Sequence, residues 1–152
     1  MARFVYRMQS VLNIKQQTEN QTKMEFAVAQ AELNEQLDLL EEYIKRKENY
    51  IKEAEELRNE ERLKLQDILD NQYATAQMDS MIKHQAGVVK QYEARVEKVR
   101  VKLTRNIQER KMQETLRDRA FAEFLEEQKQ EEAKENDQRT SFTYGKRQKE
   151  EN

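Results

Sequence analysis

The sequence predicts an all-α protein, a long antiparallel two-helix coiled-coil hairpin, on three observations. The 152 residues include no Pro and two Gly, so there is little material for tight turns and nothing to break a helix from within. Charged residues make up 38% of the chain and hydrophobic residues 36%, too few apolar groups and too many charges for a globular core. The apolar residues that are present recur at alternating steps of three and four, the signature of one helix face, among helix-forming Glu, Lys, Gln, Ala, Leu and Arg.

In the first arm the pattern is explicit from Leu33. Leu33, Leu37, Leu40, Ile44, Lys47, Ile51, Ala54, Arg58, Glu61, Leu65 and Ile68 follow a heptad, and Tyr43, Tyr50 and Leu57 widen it on one flank. Lys47, Arg58 and Glu61 interrupt it, so burial is narrow, as in a two-stranded coil. Upstream, Phe4, Met8, Val11, Leu12, Phe26 and Ala29 continue the face, and the spacing predicts a first helix over about 4–70.

A second seam runs through Ile82, Val89, Tyr92, Val96, Val99, Leu103 and Ile107, then resumes out of phase at Met112, Leu116, Ala120 and Phe124, which predicts a stutter near Arg110. Between the seams, residues 70–78 gather Asx and hydroxyl residues and lose the apolar heptad members, so the hairpin tip is expected there. The second helix is expected over about 78–138. A continuous helix dimerising in parallel satisfies the spacing too, but a tip near residue 74 leaves arms of about 60–65 residues each, on the order of 90–100 Å, long enough for one chain to cover its own seams as a monomer. The hairpin is read as a single domain over 1–138. Residues 139–152, beyond a stretch poor in apolar groups, are expected to form a flexible tail.

The same composition narrows function. A net charge of −2 gives no bulk field to draw nucleic acid or an anionic membrane, and the N-terminal arm is not the basic region that a zipper-type DNA binder requires. The basic cluster of Arg95, Lys98, Arg100, Lys102 and Arg105 reads as a solvated coiled-coil flank. No apolar run approaches the length of a membrane span, and Arg3 and Arg7 interrupt the place of a signal-peptide core. There is no Cys and one His, His84, so thiolate chemistry, a His/Cys metal site and a His-based triad are not expected. Paired carboxylates such as Glu41/Glu42 and Glu60/Glu61 lie on a two-helix coil that offers no water-excluding pocket. The expectation is a non-enzymatic binding protein without cofactors. Gly87, inside a helical run, costs about 1 kcal/mol relative to Ala.

The opening Phe4-Val-Tyr-Arg-Met-Gln-Ser-Val-Leu-Asn-Ile-Lys15, followed by polar helix, resembles the start of the flagellar type III export protein family FliJ. Glu35-Gln-Leu-Asp-Leu-Leu-Glu-Glu-Tyr43 resembles the family's first-arm segment, and Gln113-Glu-Thr-Leu-Arg-Asp-Arg119 with Phe124-Leu-Glu-Glu its closing arm. The similarity covers about residues 3 to 138. It implies a cytoplasmic stalk and escort component at the flagellar base, peripheral to the cell membrane. Its partners would be the hexameric export ATPase, the transmembrane export gate and export chaperones, in the service of motility. By the same resemblance, Phe4, Met8, Leu12, Leu116, Phe121 and Phe124 are candidate positions for the ATPase, and Gln36, Leu40 and Tyr43 for the export gate. A coiled-coil scaffold, or the central stalk of another secretion or ATPase machine, is the alternative.

Overall fold

The computed structural model describes residues 2–151, which form an all-α hairpin of two helices, α1 (Gln9–Asn59) and α2 (Leu65–Glu151). The connection is residues 60–64, not 70–78. Like charges explain its place: Glu56 and Glu60 stand four apart at the C-terminal end of α1, where both their mutual repulsion and the helix dipole oppose them. Asp67 sits favourably in the first turn of α2. The polar residues expected to form the tip are helical and use their side chains along and across the helices. Asp70 accepts from Gln66, Gln77 donates to Tyr73, and Thr75 donates to the Asn71 carbonyl. The arms are accordingly unequal, 51 and 87 residues.

At the N-terminus helix begins at Gln9, later than the expected residue 4. Residues 2–6 are irregular and a turn closes from the Tyr6 carbonyl to the Gln9 N–H at 3.1 Å. At the other end α2 continues through Glu151, where the spacing had suggested a flexible tail. The segment contains no Pro to stop the helix.

The chain divides into two compact units, one of Asn20–Arg105, the other joining the N-terminal stretch up to Glu19 to the chain from Asn106 on. In the first, α1 and α2 run antiparallel: Asn71 pairs with Tyr50, Gln85 with Gln36, Arg95 with Glu32 and Lys102 with Glu25. The innermost α1 column runs through 22, 26, 29, 33, 36, 40, 43, 47, 50, 54 and 57 in a strict alternation of three and four, with half-buried 30, 32 and 39 flanking it. Half of the expected seam is therefore displaced by one residue: Gln36, Tyr43, Tyr50 and Leu57 face α2, whereas Leu37, Ile44 and Ile51 are 40%, 40% and 45% exposed. The α2 face runs through Ile68, Asn71, Thr75, Met78, Ile82, Gln85, Val89, Tyr92, Val96, Val99 and Leu103. Across the two helices of this unit Leu33, Met78 and Val89 are the buried apolar residues, and Thr22, Asn71 and Gln85 the buried polar ones.

In the other unit the pairing is again antiparallel: Glu19 with Arg110, Lys15 with Glu109, Tyr6 with Gln113. Leu12, 1% exposed, is the apolar centre. Asn106, Arg110, Gln113, Ala120 and Phe124 keep regular spacing on the inner face, and Met112 is 64% exposed. The predicted stutter is thus absent, because polar side chains, not the next apolar ones, fill the seam through Arg110.

Candidate partner-binding surfaces

The irregular residues before α1 carry Phe4 to α2. Its ring meets Phe121 edge-on with centroids 5.1 Å apart and Phe124 tilted at 5.4 Å, geometries that aromatic quadrupoles favour. Phe4 and Phe124 are half-buried, while Phe121 stays 44% exposed. Beside them an open hollow of about 470 Å³ is lined by Ala2, Ala122, Phe124, Leu125 and Gln128 among others. The structure therefore brings three of the predicted ATPase-side residues into one cluster. Met8 and Leu116 lie on the surface at 45% and 43% exposure, and Leu12 is buried and offers no surface to a partner.

The three residues expected to face the gate are all half-buried members of the seam. The Gln85 Nε2 donates to both the carbonyl oxygen and the Oε1 of Gln36, at 3.0 and 2.8 Å, and Leu40 and Tyr43 follow at the next inward positions. Sequence reasoning missed the ladder next to them. Leu37, Ile44 and Ile51 recur every seven residues on the outer flank, with Glu41, Glu48 and Glu55 one column further out. The signal was present in that strict seven-residue repeat, a third apolar column beyond the two that a two-stranded coil consumes.

Electrostatics are mostly local. Hydrogen bonds to Glu114 and to Glu19 hold the Arg110 guanidinium above its ordinary pKa, against a smaller opposing effect of burial. The Arg100 side chain, bonded to Glu97 on the same helix face, holds that carboxyl below the usual range. Lys47 pairs with Asp79 across the helices at 2.5 Å, so the lysine that interrupts the apolar pattern is a charge-paired seam residue. Among the described residues no group of three His, Cys, Asp or Glu is arranged to hold a metal, and no helix is long and apolar enough to cross a membrane. His84 is exposed, and no contact would meet a Cβ at Gly87.

Two helices with polar-filled seams, an aromatic cluster beside the chain's start and an apolar ladder on an open flank define a coiled-coil protein whose chemistry lies on its surfaces. The chain matches the family model described as "Flagellar FliJ protein" over residues 4–149. It belongs to the FliJ family and is a component related to flagellar export. No curated protein and no solved structure is similar enough to count as a match.

Proposed function

We propose that this chain is a non-enzymatic stalk and escort of flagellar type III export, which engages the export ATPase ring and the export gate and assists export chaperones from the cytoplasmic side. Membership of the FliJ family is the observation that carries this reading. The physical support is that a two-helix coil is about 20 Å across, two helices of roughly 10 Å each. Such a body can enter a six-fold ring and, lacking six-fold symmetry, contact its subunits unequally, biasing their states through differential contact without chemistry of its own. Phe121, exposed beside Phe4 and Phe124, gives that contact an aromatic anchor, the residue type that most often dominates interface energies. On the gate side the reading shifts weight from Gln36, Leu40 and Tyr43, which are engaged in the seam, toward the adjacent Leu37 and Ile44.

The test is the hydrolysis rate of the same organism's flagellar export ATPase, titrated with the chain and with a Phe4→Ala/Phe121→Ala/Phe124→Ala variant that circular dichroism shows to remain helical. Stimulation lost in the variant is the expected outcome. A wild-type chain that neither binds nor stimulates the ATPase would leave a coiled-coil scaffold of another assembly as the better account.

A further inference from the structure

Beyond Gln128 every described residue of α2 is exposed, to Glu151. None of the described residues covers this stretch, yet it contains Thr140-Ser-Phe-Thr-Tyr-Gly145, six residues that each favour helix less than Ala by up to about 0.7 kcal/mol, and by about 1 kcal/mol for Gly. An uncovered helix of such residues is poorly supported by propensity alone. The charge is also segregated. Residues 126–137 hold six acidic residues and two lysines, a net charge of −4, and residues 138–149 hold four basic residues and no acid, a net charge of +4. Elsewhere Lys45 and Arg46 find acids four residues away on their own helix. Here Glu131, Glu135, Lys146 and Lys149 form no ion pair among the described residues.

Helical spacing puts those charges on one stripe. Glu131, Glu135, Gln138, Phe142, Lys146 and Lys149 follow steps of four, three, four, four and three, so they share a face. The stripe is acidic at its N-terminal end, basic at its C-terminal end, and has Phe142, 75% exposed, near its middle. Read backwards it is its own complement: about a point near Thr140, Glu131 stands opposite Lys149, Glu135 opposite Lys146, and Gln138 opposite Phe142.

We propose that this stripe is a self-association element, through which two copies of the chain pair the C-terminal parts of α2 antiparallel. Charge selects the orientation, because antiparallel pairing about that point sets Glu131 against Lys149 and Glu135 against Lys146 of the other copy, and parallel pairing sets like against like. Phe142 from each copy lies beside the two-fold axis and covers the backbone of the weak helical segment. The surface is small and its ion pairs are exposed, so the association is concentration- and salt-dependent, with a monomer at high dilution. It rests on the α2 stripe alone and stands or falls independently of the stalk reading.

The measurement is sedimentation equilibrium of the full chain from micromolar to millimolar concentration. The expected result is a weight-average mass that rises from 18.4 kDa toward twice that value, with association weakened about tenfold or more at high ionic strength. The variants Glu131→Lys/Glu135→Lys and Lys146→Glu/Lys149→Glu, exposed and so expected to fold, should each remain monomeric alone and associate when mixed in equal amounts. The chain has no cysteine, so orientation is read by oxidising single substitutions: Gln138→Cys, near the axis, should cross-link, and Gln128→Cys should not. Cross-linking at both positions would overturn the antiparallel arrangement. A mass of 18.4 kDa at every concentration would overturn the proposal outright, and binding of that monomer to anionic vesicles or to an acidic helix would reassign the stripe to that occupant.

Discussion

In the unit of residues 20–105, two of the deepest polar side chains are neutral amides: Gln85 bonds to Gln36, and Asn71 donates to the Tyr50 carbonyl at 2.9 Å. In the unit that holds both chain ends, a comparable inward position is a carboxylate, Glu19, 4% exposed and met by the Arg110 guanidinium, which Glu114 also holds. Both devices fix which residue of one helix faces which residue of the other, since a slip would strand a buried polar group. They differ in what is at stake. An unpaired amide forfeits on the order of 1–3 kcal/mol, whereas a buried charge deprived of its partner forfeits more.

The comparison is broken most directly at Arg110. Arg110→Leu should lower stability more than any other substitution here, by taking from Glu19, 4% exposed, and from Glu114 the guanidinium that both hold, and urea denaturation followed at the helical circular dichroism band measures it. Adding Glu19→Leu should restore most of the loss. A single variant as stable as the wild type would show that the remaining contacts of Glu19 suffice to hold its charge and that the two units are alike in this respect. Next in size is Leu33→Ala, expected to cost about 2–4 kcal/mol at a buried apolar position. Leu37→Ala, one register away on the exposed flank, should cost well under about 1 kcal/mol. Equal losses would contradict the displaced seam.

A smaller effect is expected at the amides. Replacing Gln36 and Gln85 together by Leu should change stability by about 1 kcal/mol or less, toward greater stability, because both partners of a buried pair are removed at once. Register should loosen at the same time, which spin-label distances between the helices would show as a broadened distribution. The smallest effects are titrations. Glu97 has a lowered pKa in the folded chain through Arg100, so its contribution is present above the unfolded carboxyl pKa and fades as pH falls through the folded value. Arg110, raised by Glu114 and Glu19, contributes below the unfolded arginine pKa and loses that contribution only as pH rises through the folded one. Stability measured across the neutral range should therefore show no step from either group.

Helix, and the absence of any other element, were legible because Leu, Glu, Lys and Gln at three-four spacing leave few alternatives. Register was not, because apolar residues occupy three columns in α1 and only two can face α2. The column of Leu33 faces α2 on either reading; the columns of Leu37 and of Tyr43 compete for the second place, and the bond from Gln85 to Gln36 puts the latter inward. The turn was misplaced for a related reason: Asp70, Asn71 and Thr75 have turn chemistry in isolation, but within α2 they find bonding partners. The actual break at residues 60–64 carries no Gly or Pro and is marked by crowded carboxylates. Of the candidate site, the Phe4, Phe121 and Phe124 cluster was foreseeable as a set. The outward ladder of Leu37, Ile44 and Ile51 was hidden by being read as core.

Phe4 and its ring partner Phe121 are 117 residues apart in the chain. At about 5–20 residues per second of synthesis, Phe4 waits on the order of 6–25 s for that partner to be made. Throughout that interval Leu12 and the start of α1 have no second strand. The partners of residues 20–59 are synthesised earlier, by Arg105, so the N-terminal stretch up to Glu19 is the last part of the chain whose covering residues are made.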